Sequence, residues 1–115
     1  MRLCLNDSGI GGSYRTMTKA PLQTVYDIGY RVAGCGCDFN ATDDDIKRVR
    51  DMFGEVGLAV GPMGLGVSTI HPDKAEQARM KKQIADALRI GGKLGATGLR
   101  YSVGSMHPTD IWRHH

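Results

Sequence analysis

From Thr42 to Gly104 the chain alternates two hydrophobic patterns, a run at helical spacing and then a short apolar stretch, twice over. The first marks an amphipathic helix, and the second, bounded by turn residues, marks a buried strand. Thr42-Asp43-Asp44-Asp45 offers a capping hydroxyl and three acids for a first turn, where they complement the helix dipole. Ile46, Val49, Phe53 and Val56 then recur on one face, with Lys47, Arg48, Arg50, Asp51 and Glu55 outside. Gly57 ends the helix, because glycine takes the left-handed conformation needed there without strain. Leu58-Ala59-Val60 reads as a buried strand continuing through Pro62-Met63-Gly64. The next helix opens on Asp73 and Glu76 at capping spacing. It sets Met80, Ile84, Ala87, Leu88, Gly91 and Leu94 against Arg79, Lys82, Asp86, Arg89 and Lys93, and closes at Gly95. Leu99 to Val103 forms the last strand. Strands joined so tightly through helices are parallel, since a parallel pair needs a crossover connection.

The earlier part continues the pattern backwards. Met1 to Asn6 reads as a short strand running into Asp7-Ser8-Gly9, and Ser8 to Thr18 as a loop rich in Gly, Ser and Thr. A helix is expected from Pro21 to Gly29, with Leu22, Val25 and Ile28 as its apolar face and Pro21 tolerated in the first turn. Arg31 to Cys37 supplies another strand. The expectation is an α/β chain of four parallel strands with three helices, one partial domain over 1–115. That is half of a closed (β/α)8 barrel, whose usual length is ~250 residues. The alternation ends at His114-His115, which predicts open first and last strands and an active site shared with residues outside this sequence.

Composition narrows the classes. Sixteen glycines among 115 residues exceed the ~7% usual in soluble proteins, and most sit at helix and strand ends as punctuation. The net charge of +3 is small and dispersed, and no arginine-rich stripe interleaved with aromatics appears, so no nucleic-acid partner is expected. Three cysteines, with Cys35-Gly36-Cys37 lacking C-x-x-C spacing, fit a reducing, cytoplasmic setting. No apolar run approaches the ~18 residues of a membrane span, so no membrane partner is expected.

Chemistry in parallel α/β folds gathers at the carboxyl ends of the strands. That rule selects Asn6 to Ser8, Cys37 and Asp38, His71, and Ser102 to His107. Asp7 and Asp38 read first as turn or cap residues, and Cys4 and Cys35 as small core residues. His71, just before Pro72 and a helix start, either lines a loop or acts. The only two glutamates, Glu55 and Glu76, fall within helices, so no metal site is complete in this chain. The string Asp7-Ser8-Gly9-Ile10-Gly11-Gly12 is similar to the D-S-G-x-G-G turn of amino-acid racemases of the glutamate racemase type. Their C-N-T-A and G-C-T-H cysteine contexts are absent, which favours an ordinary glycine turn.

A longer likeness runs over residues 42–115. Thr42-Asp43-Asp44-Asp45-Ile46 through Gly57-Leu58-Ala59-Val60, then His71-Pro72-Asp73, the long helix, and Leu94-Gly95-Ala96 leading to Gly104-Ser105 resembles the sugar phosphate isomerase/epimerase family of xylose-isomerase-like TIM barrels. The closing Met106-His107-Pro108 to Trp112-Arg113-His114-His115 is similar to the loop after the fourth strand in some members. The resemblance implies a barrel that moves a proton between adjacent carbons of a small-molecule sugar or sugar phosphate, with a divalent metal, Mn²⁺ or Mg²⁺, held mainly by later strands. Asn6, His71, Ser102 and Trp112 would then bind substrate, with no catalytic residue assigned. An AP-endonuclease-like branch is disfavoured, because Tyr101-Ser102-Val103 stands where its second histidine would precede Gly104-Ser105. Two further readings stay open: a non-catalytic half-barrel forming a homo-oligomer through its open edges, and a racemase-like protein with an activated Cys35 or Cys37.

Overall fold

A computed structural model describes residues 3–5, 12–68 and 71–102, with backbone alone at 66–68 and 102. The elements follow the order β1 (Cys4–Leu5), α1 (Lys19–Ile28), β2 (Val32–Gly36), α2 (Asp43–Val56), β3 (Ala59–Ser68), α3 (Lys74–Leu94) and β4 (Gly98–Ser102). The strands form one sheet in the order β1-β2-β3-β4, every neighbouring pair parallel. The expected α/β half of a TIM barrel is therefore the observed fold. β3 runs four residues past Gly64, and the β2–β3 and β3–β4 registers each shift once, between Ala33 and Cys35 and between Gly64 and Ser68.

Local chemistry sets the helix ends. The Thr42 hydroxyl accepts from Asp45 N while the Asp45 carboxylate accepts from Thr42 N, a reciprocal capping box. Gly57 and Gly95 close α2 and α3 at φ +94° and +81°, a left-handed region that only glycine enters freely. The start of α3 differs from expectation. Asp73 caps Ala75 N at 2.8 Å, but Glu76 turns to Arg79 at 2.7 Å instead of reaching back, and Asp73 N donates to His71 Nδ1.

α1 packs beside α2 and α2 beside α3, one helical layer over one face of the sheet. The core between them holds Leu22 and Val25 of α1, Ile46, Val49, Met52, Phe53 and Val56 of α2, Ala87, Ile90 and Leu94 of α3, and Ala33, Cys35, Val60 and Met63 of the strands. Ile28, Leu88 and Cys4 depart from their expected places. Ile28 is 69% and Leu88 60% exposed, whereas Ile90 is fully buried. Successive residues step about 100° around a helix, so Leu88 lies on the flank of α3 and Ile90 completes its buried stripe with Ala87, Gly91 and Leu94. Cys4, expected in the core, is exposed. It shares the sheet face with Val32 and Gly61, away from the helices.

Two glycines allow close approach. A Cβ on Gly61 would lie 3.1 Å from Cys4 Sγ and Val32 Cγ1 and 3.2 Å from the Ala33 backbone carbon. A Cβ on Gly91 would lie 3.3 Å from Met63 Cε and 3.5 Å from Leu99 Cδ2, so α3 rests on β3 and β4 through this glycine. Met63 and Leu99 therefore point toward the helices. Side chains alternate along a strand, so Gly64 and Arg100, their neighbours in the same register, face the other way. That second face would be the barrel interior.

Candidate functional site

The carboxyl end of β2 is tied to the described part of the loop before α1, residues 12–18. Tyr14 is fully buried, and its hydroxyl donates to the Gly36 carbonyl at 2.7 Å, beside Cys35 Sγ at 4.0 Å and Met63 Sδ at 3.7 Å. Its backbone N donates to Asp38 Oδ2 at 2.9 Å, while Asp38 Oδ1 accepts from Asn40 N. Arg48 of α2 then donates to the carbonyls of Tyr14 and Met17, each at 2.6 Å. The loop is thus tied to the end of β2 and to α2 at several points. Asp38 holds backbone, the turn role expected of it.

His71 stands three residues after the last residue of β3 and is half-buried. Its Nδ1 accepts from Asp73 N at 3.1 Å, and its carbonyl accepts from Gln77 Nε2 at 2.5 Å. A ring whose Nδ1 accepts carries its donor on Nε2, so the imidazole is fixed against the first turn of α3 with one N–H left to offer. Ser102 ends β4 in register with Ser68 of β3, which sets Ser102 and His71 on adjacent strand ends of the same rim. Asn6 and Trp112 lie outside the described residues.

Cys35 and Cys37 sit in surroundings that hold them as thiols. Burial pushes the Cys35 thiol up, and burial first, then Cys35, Asp38 and Asp86 in turn, pushes Cys37 up to about 11. Tyr14 is raised as well, chiefly by burial. A cysteine nucleophile needs the opposite shift, so the racemase-like expectation of an activated Cys35 or Cys37 is corrected here. Among the described residues no three His, Cys, Asp or Glu side chains converge as metal ligands. The donors present do not fit a divalent ion.

Arg100 escaped the sequence reading. It faces the prospective barrel interior from β4, and a groove of about 400 Å³ is lined by Gly64, Leu65, Arg100 and Tyr101. Nothing in the local string Gly98-Leu99-Arg100-Tyr101 marks it, since only the register shows which way it points. A larger groove, about 700 Å³, lies between Arg50, Phe53, Gly54 and Leu94. It sits among the ends of α2 and α3 and the start of β3, at the rim opposite the one where such folds bind ligands.

Four consecutive parallel strands backed by one layer of crossover helices define a partial TIM barrel. A crystal structure described as D-psicose 3-epimerase in the presence of D-fructose matches the whole of this chain, with a TM-score of 0.73 and 16% sequence identity. The chain spans 42% of the length of that structure. At this identity the likeness is one of fold. No protein-family model matches the sequence, and the comparison with curated proteins finds no match. Among the described residues no helix is long and apolar enough to cross a membrane.

Proposed function

We propose that this chain forms the β1–β4 side of a sugar or sugar-phosphate isomerase or epimerase, with His71 and Ser102 bordering the substrate. The observation that supports the reading most is the match of the entire chain to a sugar epimerase barrel. His71 is the best-placed donor to a sugar hydroxyl, because its ring is already oriented by Asp73 N. Asn6 and Trp112 would join it from the ends of the sequence, Trp112 offering an apolar face to a sugar ring. A divalent Mn²⁺ or Mg²⁺, where the complete barrel uses one, would need ligands beyond the described residues, so no step is assigned to it. The chain alone is expected to bind sugar without turning it over. Calorimetric titration with a ketohexose tests this: saturable binding that weakens at least about fivefold in His71→Ala fits a lost hydrogen bond. Unchanged binding in the variant would remove the role given to His71.

A second reading rests on the open flanks. β1 and β4 each lack a strand neighbour on one side among the described residues. Leu3 (60% exposed) precedes β1 at one edge, and Tyr101 (46%) lies on β4 at the other. Unpaired edges with apolar flanks recruit other strands, so the chain would assemble with a second copy or with a complementary half. A discrete dimer in light scattering supports assembly; a monomer across the concentration range rejects it.

A further inference from the structure

We infer that Arg100, with Gly64 beside it and Gly36 one strand further on, forms an oxyanion site on the inner face of the sheet that holds the acidic group of a sugar ligand. The sugar part of this inference rests on the function proposed above; the anion part does not. Gly36 pairs with Gly64 and Gly64 with Arg100, so the three residues form one row across β2, β3 and β4. A TIM-barrel interior is ordinarily filled by layers of side chains, yet here two of the three strands contribute none and the third contributes a cation. The guanidinium lies over the gap: a Cβ on Gly64 would meet Arg100 Nη2 at 4.0 Å. The row is also at the functional end, since Gly36 is the last residue of β2 and Arg100 stands two residues before the end of β4.

Among the described residues the charge there is uncompensated. Arg15 and Arg89 lie near Asp45 and Asp43, Arg79 pairs with Glu76, and Arg31 and Arg48 donate to carbonyls. Arg100 has no such partner among the described residues, a condition it shares with Arg50 of α2, and both arginines are exposed. A guanidinium presents a planar fork that pairs with phosphate or carboxylate through two parallel hydrogen bonds. The groove beside it, about 400 Å³, has room for such a group. A phosphate ester and a sugar acid share this chemistry.

The full chain is titrated calorimetrically with a ketohexose phosphate, a hexuronate, a neutral ketohexose and inorganic phosphate. An acidic sugar should bind at least roughly tenfold more tightly than the neutral one, as a charge-assisted pair provides. Arg100→Gln should erase that preference, and Arg100→Lys should keep part of it. Gly64→Val, which fills the row while leaving the arginine, should weaken the acidic ligand severalfold. A phosphate preference identifies an ester, and a uronate preference identifies a sugar acid. Phosphate binding that survives Arg100→Gln marks an adventitious ion only and overturns the site, as does a wild-type chain that binds acidic and neutral sugars alike. Arg100-dependent binding of acidic ligands with no binding of the neutral ketose would keep the site and remove the sugar reading. Circular dichroism of the variants confirms that the fold is retained.

Discussion

At the scale of single residues, Tyr14 concentrates the most structure. Its hydroxyl is the partner of the Gly36 carbonyl at the end of β2, so Tyr14→Phe leaves that acceptor without its donor. The expected cost is about 1–2 kcal/mol in urea denaturation. The neighbouring thiols give a pH signature. The folded state holds the Cys37 proton up to about 11, against an ordinary 9.0, so between those values it binds more protons than the unfolded chain. Stability from this source is complete below pH ~9 and is lost as pH rises toward the folded value. Denaturation midpoints should fall across that window and fall less in Cys37→Ala. In alkylation near neutral pH, the exposed Cys4 should react well before Cys35 and Cys37. A fast Cys37 would mean that its surroundings activate it after all.

At the scale of elements, the glycines make a graded series. A Cβ on Gly92 meets nothing within 4 Å, so Gly92→Ala should stabilise α3 by about 0.5–1 kcal/mol through helix propensity. Gly91→Ala gains the same propensity but presses on the flexible end of Met63 and should come out near neutral. Gly61→Ala meets a sulfur, a branched side chain and backbone at once, and overpacking of that kind costs about 1–3 kcal/mol. Thermal melts of the three variants should rank in that order. α2 was legible because its cap, its apolar positions and its closing glycine all agree. α3 was legible in extent but not in facing, because Leu88 and Ile90 are both apolar and only the sheet beneath decides which is covered. The rim was half legible: strand ends pick out Asp38 and His71, while Arg48, Tyr14 and Arg100 gain their places from tertiary contacts and register that no local pattern encodes.

At the scale of the whole molecule, the parallel order β1-β2-β3-β4 puts every strand's carboxyl end on one rim. Asp43 bonds Lys93 at 2.6 Å and draws Arg89 to 3.8 Å, a surface tie between α2 and α3 away from the inner face. The described residues gather no metal ligand set, and open oxygens alone hold Mg²⁺ or Mn²⁺ poorly. Titration of the chain with either ion should accordingly give only weak binding, and a tight stoichiometric site would show that ligands had been missed. The central claim is that sugar binds at the carboxyl rim of a half-barrel. It is tested most directly by mapping amide shifts in ¹⁵N–¹H NMR while a ketohexose is added. Shifts should concentrate at Cys37, Asp38, Gly64, Leu65, His71, Arg100 and Tyr101. Shifts confined to Arg50, Phe53, Gly54, Leu94 and Gly95 at the opposite end, or none at saturating sugar, would contradict it.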